Sequence, residues 1–141
     1  MPTLLHRNEA TFPLTSAEVE QLWQVTTEYR LWADDAVGIS CVSEDEIRHL
    51  NQHYRQRDQS TNVLTFTYDT SEHDIVLCMD VAVREADGRN TSMRDYVALL
   101  LVHAFLHATG MDHEESQAAA AATHKLERKI LTQCGLAVAE L

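Results

Sequence analysis

Three of the eight histidines in this sequence are spaced as the ligands of one metal ion. They are His103, His107 and His113, in the segment HAFLHATGMDH. His103 and His107 are four residues apart, so on a helix their side chains lie on one face. Gly110 allows the chain to turn back after that helix and to bring His113 toward them. Three neutral imidazoles with an open fourth position form a catalytic zinc geometry, which can lower the pKa of a bound water to about 7.

The residue after the first histidine argues against a peptidase. The spacing HxxxHxxGxxH is that of the long metzincin motif, and zincin peptidases carry a glutamate after the first histidine as general base. Here that position is Ala104. The sequence therefore predicts a metal-dependent hydrolase that lacks the peptidase base. The remaining histidines show no comparable spacing and are predicted to lie at the surface: His6, His49, His53, His73 and His124.

Local patterns predict the elements that position these residues. Two capping boxes, Thr15 to Glu18 and Ser43 to Glu46, predict the starts of two helices. Apolar or alternating segments predict strands at residues 37–42, 63–68 and 75–79, the last two as antiparallel neighbours. Further helices are predicted at residues 81–86, 93–109 and 114–134. This order predicts an α+β (α/β-like) fold with a small mixed sheet of about four strands and about five helices.

Composition limits the class of protein. With 141 residues, 45% of them hydrophobic, the chain is predicted to form a single domain over residues 1–141. The formal net charge of -11 disfavours loose binding to nucleic acid or membrane, so an RNA substrate would have to meet a local basic patch or the metal. The three cysteines form neither a zinc motif nor a disulfide framework. With no secretory signal and no apolar run of membrane length, we expect a cytoplasmic protein.

Two separate motifs carry a resemblance to the YbeY family of bacterial endoribonucleases. The histidine segment resembles HGxLHLxGYDH, with Ala104, Ala108 and Met111 in place of glycine, leucine and tyrosine. Upstream, LNQHYRQRDQSTNVLTF at residues 50–66 resembles LNxxYRxKDxPTDVLSF, and DIVLC at residues 74–78 resembles the family's GDIxI strand, with His73 where glycine is usual. The resemblance covers roughly residues 35 to 136 in the right order.

The resemblance implies a metal-dependent, single-strand-specific endoribonuclease. It would act in ribosomal RNA maturation, at the 3′ end of 16S RNA, and in ribosome quality control. One Zn²⁺ ion per chain would be held by His103, His107 and His113, and the implied catalytic residues are Arg55 and His103. Arg55 and Arg57 match the basic residues of the family's YR and KD pairs and are the implied substrate-binding residues, since a guanidinium suits a phosphate. The implied partners are single-stranded RNA and the small ribosomal subunit or its proteins, with no membrane.

The residues alone leave several points open. No side chain identifies itself as the general base, and RNA could instead be cut through its own 2′-hydroxyl. Asp112 could orient a ligand histidine or, with a slight preference, cap the last helix. Two other functions remain as alternatives: a metal-dependent hydrolase of another class, such as a peptidase with a displaced base, and a non-catalytic ribosome-assembly factor with a structural metal.

Overall fold

A mixed four-stranded sheet lies at the centre of the fold. The computed structural model describes residues 3–6, 12–30, 35–68, 71–110 and 116–136, with only the backbone described at 3–6 and at 30. The strands are β1 (Thr3–His6), β2 (Ala36–Val42), β3 (Val63–Tyr68) and β4 (Glu72–Cys78), in the spatial order β1-β2-β4-β3. β1, β2 and β4 run parallel, and β3 pairs antiparallel with β4 at one edge.

Five helices surround this sheet within the described residues. They are α1 (Ser16–Arg30), α2 (Glu44–Arg55), α3 (Met79–Gly88), α4 (Met93–Ala108) and α5 (Gln117–Gln133). Four strands and five helices in this order confirm the predicted α+β fold class. The long fourth helix is also confirmed: it ends at Ala108, and Gly110 follows with a φ of 100°.

Both predicted helix starts are capped by a side chain, with the full capping box at α1 and the Ser43 cap at α2. At α1, the Glu18 backbone N–H donates to Thr15 Oγ1 (3.1 Å), and the Thr15 N–H donates to Glu18 Oε1 (2.9 Å). At α2, the Glu46 N–H donates to Ser43 Oγ (3.2 Å). These bonds satisfy backbone N–H groups that have no partner inside the helix. A local sequence pattern is therefore enough to predict where α1 and α2 begin.

The core lies mainly between α4 and one face of the sheet. Trp23 of α1 packs on Phe105 of α4 with ring centroids 5.1 Å apart, and neither side chain is exposed to solvent. β4 is buried on both faces, because Ile75 and Leu77 join the main core while Val76 and Cys78 face a smaller cluster under α2 and α3. α4 is therefore held rigidly against the centre of the protein.

Three local predictions are corrected by the structure. The sequence did not predict β1, and β4 begins at Glu72 rather than at Ile75. α5 begins at Gln117 rather than near Glu114, and its N-cap is Ser116, whose Oγ accepts from the Ala119 N–H (3.0 Å). The preferred interpretation of Asp112 as the cap of this helix is therefore wrong, although Asp112 itself lies outside the described residues.

The prediction that His73 lies at the surface is also wrong. Its side chain is buried, with Nε2 2.7 Å from Asp35 Oδ2 and Nδ1 3.0 Å from Thr67 Oγ1. Both nitrogens thus have a polar partner, as burial requires. His49, His53 and His124 are exposed as predicted, and the side chain of His6 is outside the described part of the chain.

Candidate functional site

The two helical histidines occupy the one open edge of an otherwise buried helix segment. From Tyr96 to Ala108 every residue of α4 is buried except His103 and His107. Since these two are one helical turn apart, their side chains face the same way, at the margin of the core. Apolar packing fixes the rest of the helix, so the position of both imidazoles is set by the fold rather than by solvent-exposed loops.

A buried carboxylate on α5 faces His103. Glu127 Oε2 lies 3.0 Å from His103 Nδ1, and the carboxylate is 2% exposed against 18% for the imidazole. Because a carboxylate accepts hydrogen bonds, an imidazole in this contact donates from Nδ1, and Nε2 is then the nitrogen that suits a metal ion. A metal-binding histidine usually donates its second ring N–H to a carboxylate in this way. The donor chemistry of His103 therefore fits a metal ligand.

The same carboxylate also contacts a second imidazole. Glu127 Oε1 lies 3.1 Å from Nδ1 of His124, which is about half exposed. Sequence reasoning missed Glu127, although a signal was available. It falls in the buried stripe of α5 with Thr123, Ile130 and Leu131, where an isolated carboxylate needs a partner.

The third predicted ligand is His113. His113 and Asp112 lie in residues 111–115, outside the described residues. Among the residues that are described, no group of three histidine, cysteine, aspartate or glutamate side chains could hold a metal ion. The structure thus brings together His103, His107 and an orienting carboxylate, and the complete three-histidine site stays a prediction.

The two predicted substrate-binding arginines line one polar pocket. This pocket has a volume of about 260 Å³ and is bounded by Asn51, Arg55, Arg57, Gln59, Thr61 and Leu64. The end of α2 brings Arg57 back beside Arg55, because Gln56 adopts a left-handed conformation (φ 57°). Asn51 holds the following loop by donating from Nδ2 to the Gln59 carbonyl (2.9 Å).

The guanidinium of Arg55 is fixed against the edge strand. Its Nη2 donates to the Thr65 carbonyl of β3 at 2.8 Å. Within the described part of the chain, neither Arg55 nor Arg57 forms an ion pair, whereas three other arginines do: Arg48 with Asp58, Arg84 with Glu44, and Arg94 with Glu18. A pocket with two unneutralised guanidinium groups suits an anionic group such as a phosphate.

Asn62, at the entrance to β3, has a structural role. Its Nδ2 donates to Glu85 Oε1 (2.9 Å), which also accepts from the Tyr96 hydroxyl (3.0 Å). Burial, followed by this contact with Glu85, raises the pKa of Tyr96 above its ordinary value of 10. The start of β3 is thereby tied to α3 and to α4, the helix that carries His103 and His107.

Comparison with known proteins places the chain in a class. The solution structure of TM1509 from Thermotoga maritima has the same fold, with a TM-score of 0.65 and 25% identity over 94% of this chain and 91% of that one. A family model described as Endoribonuclease YbeY matches residues 6–135. The class is therefore that of the endoribonucleases, hydrolases that act on RNA phosphodiester bonds.

Individual relatives support the family. The chain is similar to Endoribonuclease YbeY of Delftia acidovorans, with 40% identity over 112 residues, 77% of this chain and 74% of that protein. The match to the Burkholderia cenocepacia protein is 42% over 113 residues, 77% and 66% of the two chains. The Endoribonuclease YbeY of Acinetobacter baumannii is 33% identical over 136 residues, which are 88% of this chain and 86% of that protein. This chain belongs to the YbeY family of endoribonucleases.

The described part of the chain contains no helix that is both long enough and apolar enough to cross a membrane.

Proposed function

We propose that this chain is a metal-dependent endoribonuclease that cuts single-stranded RNA. One Zn²⁺ ion would be held by His103, His107 and His113. The observation that carries the proposal is the contact of 3.0 Å between His103 Nδ1 and the buried Glu127 carboxylate. His103 and His107 are also the only two partly exposed residues of the segment Tyr96 to Ala108. The family to which the chain belongs supports RNA as the substrate.

Zn²⁺ bound by His103, His107 and His113 would supply polarisation of a phosphoryl oxygen and a lowered pKa of a bound water. The chain's own residues would do the remaining work. Glu127 keeps the His103 ring in one tautomer and one orientation. Arg55, anchored on the Thr65 carbonyl, would donate to the non-bridging phosphate oxygens and stabilise the charge that develops on them. Arg57, in the same pocket, would bind a neighbouring phosphate oxygen.

The nucleophile can be identified from the products. Attack by the RNA 2′-hydroxyl forms a 2′,3′-cyclic phosphate and releases a 5′-hydroxyl. Attack by water breaks the phosphodiester without a cyclic product. Separating the product ends by mass spectrometry distinguishes the two routes.

In the cell, we propose that the enzyme acts in the cytoplasm on ribosomal RNA. Maturation of the 16S RNA 3′ end and ribosome quality control, with the small subunit or its proteins as partner, are the roles proposed from the family resemblance. A depletion strain that accumulates 16S precursor, and recovers with the wild-type chain but not with His103→Ala, would support this role. Recovery with His103→Ala would instead favour a non-catalytic assembly factor.

The peptidase alternative receives no support from the described residues. Ala104 is 1% exposed and is packed in the core, so the position where zincin peptidases carry their base offers neither a base nor space for one. A peptidase would need a base from elsewhere in the chain. Cleavage of an unstructured RNA but not of casein is the expected outcome. Casein cleavage that is lost in His103→Ala would contradict the proposal.

A further inference from the structure

The exposed face of α5 is basic in a strongly acidic protein. The chain has 22 acidic and 11 basic residues, yet α5 has a single carboxylate, Glu127, which is buried. Its three cations, Lys125, Arg128 and Lys129, are all exposed and are spaced i, i+3 and i+4. Because residues with this spacing share one side of a helix, their charges add on one surface.

A groove between α1 and α5 adjoins this basic face. It has a volume of about 510 Å³ and is lined by Tyr29, Arg128, Lys129, Thr132 and Gln133. Tyr29 is 42% exposed, and its hydroxyl donates to Gln133 Oε1 at 3.0 Å. This bond holds the aromatic ring at the groove while leaving much of its surface open to solvent.

The acidic residue Glu28 lies near this groove. Burial, and then the charge of Glu28, raise the pKa of the Cys134 thiol above its ordinary value of 9. Glu28 is therefore close to the end of α5, beside Tyr29 in sequence. Its charge is opposite to that of Arg128 and Lys129, so removing it by Glu28→Gln tests the groove with a change of opposite sign.

We propose that this groove binds a nucleotide of single-stranded RNA outside the cleavage site, with phosphates on Arg128 and Lys129 and a base stacked on Tyr29. Proteins that bind single strands combine cations that follow the backbone with aromatic rings on which bases stack. The inference rests on the proposed function for the identity of the ligand as RNA. It also answers the charge problem, because a chain of net charge -11 needs a local basic surface to hold a polyanion.

The groove is close to the proposed metal site along the same helix. Glu127, which contacts His103, directly precedes Arg128. Thr132, at the far part of the groove, is five residues further on, or about 7.5 Å along the helix axis. α5 would thus orient a ligand histidine with its buried side and hold the RNA strand with its exposed side.

The test measures binding of a fluorescent oligouridylate to the full chain after chelator treatment, by anisotropy at several salt concentrations. We expect the double variant Arg128→Gln, Lys129→Gln to bind about tenfold more weakly, with a salt slope shallower by about 1.4, from about 0.7 per phosphate contact. Tyr29→Ala should weaken binding at least about fivefold and leave the slope unchanged. Glu28→Gln should tighten binding.

A charge-matched control separates the groove from general electrostatics. The double variant Arg84→Gln, Arg94→Gln makes the same change in net charge on α3 and α4 and should bind within about twofold of wild type. Circular dichroism checks that each variant is folded. Equal losses in the two double variants, wild-type binding by the groove variants, or no RNA binding by the wild type would each overturn the inference.

Cleavage assays keep this test separate from that of the proposed function. If the wild type cleaves RNA but the groove variants bind normally, the groove inference alone fails. If the wild type cleaves nothing but the groove variants lose binding, the catalytic proposal alone fails. When both hold, the groove variants should bind the oligonucleotide more weakly, and His103→Ala should leave it uncut.

Discussion

Replacing Glu127 by glutamine tests how the protein prepares His103 for a metal ion. The carboxylate accepts from two imidazoles, at 3.0 Å from His103 and 3.1 Å from His124. Glutamine keeps the size of the side chain but provides only one acceptor oxygen. Its NH₂ group, a donor, would lie against the N–H of one imidazole, which is also a donor. One of the two rings must therefore lose its acceptor, and His103 loses the full charge that favours its Nδ1–H tautomer.

The expected loss of zinc affinity follows from the burial of Glu127. Loss of a carboxylate that orients a metal-binding histidine lowers metal affinity by about 10- to 100-fold, or about 1.4 to 2.7 kcal/mol. Since Glu127 is 2% exposed, solvent does not screen this interaction, and the upper part of that range is expected. The assay is Zn²⁺ titration against a chromophoric chelator, with thermal unfolding of the metal-free protein as a check on folding.

His124→Gln is the matched control for this prediction. It removes the imidazole of His124, which is about half exposed and contacts Glu127 Oε1. The contact between His103 and Glu127 Oε2 stays in place. We expect zinc affinity within about threefold of wild type. A folded Glu127→Gln protein that binds zinc as tightly as wild type would refute the orienting role of Glu127.

Three further predictions concern the arginine pocket, the turn after α4 and the surface charges. Arg55→Lys should lower the rate of RNA cleavage at least about tenfold, because an ammonium cannot both hold the Thr65 carbonyl and present a planar fork to phosphate. Gly110→Ala should cost about 1–2 kcal/mol in urea unfolding, since φ is 100° there. Hydrogen bonds from Arg84, and then from Ser60, hold the pKa of Glu44 at about 2 rather than 4.5. This depressed pKa contributes stability that is present above pH 4.5 and lost toward pH 2, so the difference in urea midpoint between wild type and Arg84→Gln should shrink over that range.

The Arg55 and Gly110 predictions each have a control within the chain. Arg48→Lys, on the same helix as Arg55, should cleave RNA normally because Arg48 is an exposed partner of Asp58. Gly88→Ala should not destabilise, since a Cβ there meets nothing within 4 Å and no positive φ is required. The Arg55 argument is contradicted if Arg55→Lys cleaves RNA at the wild-type rate, and the Gly110 argument if Gly110→Ala unfolds at the wild-type urea concentration. The Glu44 argument is contradicted if the difference in urea midpoint between wild type and Arg84→Gln does not change with pH.

The parts of the fold that depend on neighbours in sequence could be predicted. The start of α1 follows from Thr15 and Glu18, and β3 was located to the residue from the alternation in Val63–Tyr68. β1 could not be predicted in this way, because Thr3–His6 is only four residues long and its partner, Ala36–Ile39, lies about 30 residues further along. Pairing at that distance is a property of the folded chain.

The same distinction applies to the candidate site. The spacing of His103 and His107 is local, and both are where the sequence placed them, on the open side of α4. His73 looked like a surface residue because its partner Asp35 is 38 residues away. Glu127, 24 residues from His103, was missed for the same reason, although a carboxylate in an apolar stripe was a visible sign.

The most direct test of the central claim is cleavage of an unstructured RNA by purified protein, with its zinc content measured in the same samples. We expect about one Zn²⁺ per wild-type chain and cleavage that a chelator abolishes and added Zn²⁺ restores. The variants His103→Ala, His107→Ala and His113→Ala should lose both zinc and cleavage while remaining folded. RNA cleavage that persists in a well-folded, zinc-free His103→Ala protein would contradict it.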